Sequence, residues 1–162
     1  MKKLLVVFFV ALCVFSCFAD IAKWEKGFYV DDFGDPTTEA YLVSERIPIS
    51  YGPYAWDDSR CRILVDVKYV SFDLGETVFY NDWTIKTKTP SGTTHTFSGV
   101  LERGNGRVYI SGVTDTLMFL KDIVEGSRLI MMPNNPYTSD KYDFGTVTLS
   151  LEDLKQVRPN WQ

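Results

Sequence analysis

Between Cys61 and Tyr69 the chain alternates, with Cys61, Ile63, Val65, Val67 and Tyr69 on one side of an extended backbone and Arg62, Leu64, Asp66 and Lys68 on the other. A period of two with one apolar face predicts a half-buried strand over 61–69. The same rhythm runs through Trp83-Thr84-Ile85-Lys86-Thr87-Lys88. Thr89-Pro90-Ser91-Gly92 follows with turn chemistry, proline second and glycine fourth, so residues 93–100 are expected to return antiparallel. Further strand-like runs fall at 24–30, 40–43, 77–80, 107–110, 128–132 and 142–149. Short strands at this spacing predict a mainly β fold, a single antiparallel β-sandwich of immunoglobulin-like or jelly-roll-like form.

Two segments break the alternation. In residues 114–126, Leu117, Leu120, Ile123 and Val124 share one helical face, with Thr114 placed to cap the start and Gly126 to end it. The alternative for 116–120 is another strand. Near the end, Ser150 and Asp153 stand at capping-box spacing ahead of Leu154, and Pro159 limits extension, so a short terminal helix is expected.

The first residues follow a different logic. Lys2 and Lys3 precede an apolar run from Leu4 to Phe15, then Ser16, Cys17, Phe18, Ala19 and the charged Asp20. This is a signal-peptide layout, and the run ends short of the roughly 20 apolar residues a bilayer span needs. Residues 1–19 are therefore expected to be a leader and 20–162 a single domain. Cleavage after Ala19 places Cys17 and Ala19 at the two small-residue positions. Val14-Phe15-Ser16-Cys17 also resembles a loose lipobox, in which Cys17 would be acylated. The favoured expectation is plain export to the periplasm or the exterior. Lipidation would instead tether the chain to an inner or outer membrane surface, with no transmembrane span in either case.

Charge and cysteine content narrow the partners. The chain has 17 Lys and Arg against 21 Asp and Glu; without Lys2 and Lys3 it carries 15 against 21, a net charge of −6. Such a balance disfavours nucleic acid and anionic lipid. Of three cysteines, Cys13 and Cys17 lie in the leader, so the domain keeps Cys61 and no internal disulfide. On its apolar face Cys61 reads as a small buried side chain.

Catalytic signals are sparse. His95, the only histidine, projects to the same side as Phe97, and no nucleophile motif accompanies it. The stretch Asp31-Asp32-Phe33-Gly34-Asp35 lacks the order of a calcium loop and reads as a turn using Gly34 and Pro36. No metal and no cofactor is expected. The loop Ile49-Ser50-Tyr51-Gly52-Pro53-Tyr54-Ala55-Trp56-Asp57-Asp58 is richer, because three aromatics sit between strands. Tyr51, Tyr54, Trp56, Asp57 and Asp58 are the candidate ligand-binding residues. Rings that fold back to cover one end of the sandwich are the other account of this loop.

Tyr29-Val30-Asp31-Asp32-Phe33-Gly34-Asp35-Pro36-Thr37 resembles the opening of a family of small exported bacterial proteins of spirochaete type. Trp83-Thr84-Ile85-Lys86 with Gly92, His95, Phe97 and Gly99 is similar to that family's central hairpin, and Tyr142-x-Phe144 to its last strand. The resemblance implies export and a β-sandwich, and brings no catalytic residues. The expectation is an exported, non-enzymatic envelope or periplasmic domain that binds a protein, peptide or glycan through loops. Two other classes stay open. One is a carboxylate-dependent hydrolase with Asp57 or Asp58 as first suspects; the other is a structural envelope subunit that pairs through a sheet edge.

Overall fold

The computed structural model describes residues 23–48, 60–74, 80–138 and 140–161. In chain order these form β1 (Trp24–Val30), β2 (Pro36–Ser44), β3 (Ile47–Pro48), β4 (Arg60–Val65), β5 (Val70–Asp73), β6 (Asp82–Lys88), β7 (Thr94–Glu102), β8 (Arg107–Ile110), α1 (Val113–Val124), β9 (Ser127–Pro133), β10 (Tyr142–Val147) and α2 (Leu151–Val157). The fold is mainly β with two short helices where the sequence placed them. Every strand pair is antiparallel, in the order β1-β2-β4-β5-β8-β7-β6-β9-β10, with β3 paired to β4.

The predicted hairpin forms as its turn chemistry requires. Gly92 adopts φ 92° and donates its N–H to the Thr89 carbonyl at 2.9 Å. Trp83, Ile85 and Thr87 of β6 are buried, opposite Gly99, Phe97 and His95 of β7 respectively. Gly99 serves close packing, because a Cβ there would lie 2.9 Å from both Ile85 Cδ1 and Val108 Cγ1.

The strand expected over 61–69 stops at Val65. Asp66 Oδ1 accepts the N–H of Lys68 at 2.7 Å and of Tyr69 at 2.6 Å, and its own N–H bonds the Tyr69 carbonyl. This local side-chain bonding reverses the chain, and β5 returns with Val70 opposite Val65. Alternation runs unbroken through the turn, so period alone hides the reversal. The expected strand at 77–80 also does not reach Tyr80, which precedes β6 and accepts the Trp83 indole N–H on its carbonyl; residues 77–79 lie outside the described residues.

Helix α1 begins one residue earlier than its expected cap. Gly112 is the N-cap, and no side chain caps it; Thr116 bonds back to the Gly112 carbonyl at 2.9 Å. Gly126, at φ 81°, ends it as expected. The buried face is Thr116, Phe119, Leu120, Asp122 and Ile123, whereas Leu117 is 43% exposed. The helix is thus turned relative to the sequence expectation, because the large Phe119 ring claims the core. Ser150 caps α2 as expected, its Oγ accepting the Asp153 N–H at 3.0 Å and donating to the Asp153 carboxylate at 2.6 Å.

The sheet rolls on itself. Phe72 of β5 lies 6.2 Å from Phe144 of β10, ring centre to ring centre, although five strand steps separate them. In a flat sheet those steps would span roughly 24 Å. Phe119 of α1 fills the space between, edge-on to Phe72 at 5.7 Å and to Phe97 at 5.8 Å. Two facing halves with a shared aromatic core result, as in a sandwich. Hydrogen bonding is continuous from edge to edge, so the anticipated immunoglobulin-like or jelly-roll-like form appears as one rolled, open sheet.

Candidate functional site

Register places an aromatic surface on the outside of the roll. On β8, Val108 and Ile110 face the core, so Tyr109 faces out; it sits opposite Ser71 of β5 and Val100 of β7. The Asp66 turn delivers Tyr69, whose ring meets Tyr109 edge-on at 6.1 Å. From β1, Tyr29 donates its hydroxyl to Asp66 Oδ2 at 3.1 Å. Burial first, then the Asp66 carboxylate, pushes the Tyr29 phenol up to about 12, so it remains a neutral donor. The Tyr41 ring stands 5.0 Å from that of Tyr29 and lies across Gly27, where a Cβ would come within 2.4 Å of it.

The rings of Tyr29, Tyr69 and Tyr109 border a depression of about 690 Å³ shared with Val100 and Glu102. Asn105 fixes one wall, donating to the Tyr109 hydroxyl at 2.9 Å and to Glu102 Oε2 at 2.8 Å. Tyr69 is 53% exposed and Val100 46%. Tyrosine offers large contact area with few rotatable bonds, and rings already held by Asp66 and Asn105 lose little freedom when a partner arrives.

A second concavity, of about 870 Å³, lies between the tip of the β6–β7 hairpin, α1 and the segment after α2. At its floor His95 Nδ1 lies 2.9 Å from Asp122 Oδ2 and 3.1 Å from Oδ1, and Thr87 donates its hydroxyl to the same carboxylate. Asp122 is 2% exposed. A buried carboxylate is costly without partners, and here both oxygens have them. A carboxylate only accepts, so His95 Nδ1 is the donor of this pair.

Tyr51, Tyr54, Trp56, Asp57 and Asp58, and with them Cys17, lie outside the described residues. Cys61 is fully buried, and burial pushes its thiol well up. The acidic stretch is the β1–β2 turn: Asp31 Oδ1 accepts the N–H groups of Phe33 at 2.9 Å and Asp35 at 3.0 Å, with Gly34 at φ 87°. Among the described residues no group of three metal-ligating side chains converges. Sequence reasoning put His95 on the Phe97 side correctly and missed Asp122. The available signal was an acid three residues after Phe119, inside the apolar stripe of an amphipathic helix. No known protein family, curated protein or solved structure matches the chain.

Proposed function

We propose that the protein is an exported binding domain that holds a polypeptide partner against the tyrosine-lined depression. The observation that carries this reading is the convergence of Tyr29, Tyr69 and Tyr109 from a strand, a turn and a second strand onto one surface with fixed polar groups. Tyrosine is enriched where proteins bind one another, and Asp66 and Glu102 favour a basic side chain on the partner. Export rests on the leader pattern of residues 1–19, and the resemblance to small exported bacterial proteins agrees with it. The periplasm or cell envelope is accordingly where the partner is sought.

Peptide and glycan arrays probed with the wild-type protein and with Tyr69→Ala and Tyr109→Ala test this. Peptide signal lost in both variants is the expected result. Binding unchanged in both variants refutes the site, and a glycan-only signal refutes the partner class.

One observation favours a second reading, assembly through the sheet edge. Glu45 donates to the Lys23 carbonyl at 2.7 Å, so bonded pairs fall at Lys23, Glu25 and Gly27, and the polar backbone of Trp24, Lys26 and Phe28 points away from β2. No described strand covers that edge, and Lys26 supplies the charge that guards such edges against indiscriminate pairing. Light scattering that gives a monomer at all working concentrations refutes self-assembly there.

A further inference from the structure

In the tyrosine-lined depression Tyr69 and Tyr109 stand almost perpendicular, with an interplanar angle of 87° and ring centres 6.1 Å apart. Two rings set this way form a corner. A cation seated there lies within about 6 Å of both ring centres, the range over which the negative face of an aromatic ring attracts positive charge. Tyr29 borders the same depression from β1. The hydroxyls of Tyr29 and Tyr109 are bonded to Asp66 and Asn105, and the Asp66 turn fixes the backbone at Tyr69, so the walls stand before any ligand arrives.

The charge at this corner has one sign. Asp66 and Glu102 border the depression, a net charge of −2, and among the described residues no lysine or arginine does. Arg107, two residues before Tyr109 on β8, stands in register with Asp73 of β5 and Glu102 of β7, and adding Arg107 and Asp73 to the count leaves it unchanged. Among the described residues the cation stacked on a ring is Lys26 over Phe28, so the tyrosine faces hold no cation of the protein's own. The hydrogen-bond acceptors, by contrast, are already engaged. Asp66 Oδ1 accepts two backbone N–H groups, its Oδ2 accepts the Tyr29 hydroxyl, and Glu102 Oε2 accepts the Asn105 amide. A primary ammonium brings three donors that would each want an acceptor, whereas a fully alkylated nitrogen brings none. We infer that the corner receives a quaternary ammonium group, carried by a polypeptide as trimethylated lysine or by a small choline-type ligand. This rests on the depression being the binding surface proposed above, and names the group it takes.

Titration of the purified protein with choline, and in parallel with neohexanol, the uncharged isostere in which tert-butyl replaces trimethylammonium, tests the inference by nuclear magnetic resonance. Choline is expected to bind at least about tenfold more tightly than neohexanol, the worth of its charge against two rings, with its methyl protons moved upfield by ring current. Tyr69→Leu and Tyr109→Leu keep apolar bulk and lose the aromatic face; each is expected to weaken choline about two- to fivefold and to leave neohexanol unchanged. Tyr69→Phe keeps the ring and is expected to retain choline. Tyr69 is 53% exposed on a turn, so position 69 carries the test should the Tyr109 variant fail to fold. Acetylated, amidated trimethyl-lysine run beside choline separates the two sources, the tighter binder naming the carrier. Equal binding of choline and neohexanol, choline affinity unchanged in Tyr69→Leu or lost in Tyr69→Phe, tighter binding of methylammonium than of choline, or no binding of choline would each overturn it. Peptide capture that depends on Tyr69 and Tyr109 while choline fails to bind would remove the quaternary head and leave the binding surface standing.

Discussion

If the sheet is rolled, Phe72 and Phe144 must be energetically coupled. Phe72 is fully buried and meets both Phe144 and Phe119, so Phe72→Ala should cost about 3–5 kcal/mol, a large share of the roughly 5–15 kcal/mol that holds a domain of this size. The milder pair Phe72→Leu and Phe144→Leu keeps the protein folded and permits a double-mutant cycle. Tilted rings 6.2 Å apart contribute about 0.5–1.5 kcal/mol beyond the area they bury, and each Leu variant removes that term. The double variant should therefore be less destabilised than the two singles combined, by about 1 kcal/mol. Urea denaturation followed through the buried Trp83 indole reads all four proteins. Additivity within about 0.3 kcal/mol would mean that the rings do not meet, and would refute the roll.

Other outcomes follow from single contacts. Ser150→Ala removes the cap of α2 and should lower stability by about 1 kcal/mol, seen as a lower urea midpoint at unchanged slope. Gly99→Ala pushes a methyl against Ile85 and Val108 and should cost about 1–3 kcal/mol in the same assay. The Cys61 thiol, fully buried and raised, should resist a disulfide reagent in the native protein at mildly alkaline pH and react only when urea unfolds the chain. Tyr29 keeps its proton in the folded protein up to about 12, while in the unfolded chain it releases it near 10.0. Its contribution to stability is therefore complete below pH 10 and is lost as pH rises towards 12; ultraviolet titration should show a late-titrating phenol that moves down in Asp66→Asn.

Local chemistry was the legible part of this fold. The Thr89–Gly92 turn, the Ser150 cap, the Gly126 stop and the placement of His95 on the Phe97 side could all be read from a few neighbouring residues, because each is decided by short-range sterics and hydrogen bonds. The Asp66 reversal was hidden because the alternation of Cys61 to Tyr69 continues through it, and only the carboxylate's two backbone bonds break the strand. The turn of α1 was also out of reach, since Leu117 and Phe119 both suit a core and the choice depends on Phe72 and Phe97 far along the chain. For the same reason neither site was visible. The tyrosine surface joins residues from 29 to 109, and the imidazole–carboxylate pair joins a strand to a helix 27 residues away. No local pattern announces either one.

A photo-reactive benzophenone amino acid placed at position 69 or 109 in producing cells tests the central claim most directly. The account predicts a discrete polypeptide adduct from both positions and none from position 137, whose native Tyr137 is 95% exposed and distant in sequence from the depression. Adducts of equal yield at 137, or none at 69 and 109, would contradict a binding role for the tyrosine-lined surface.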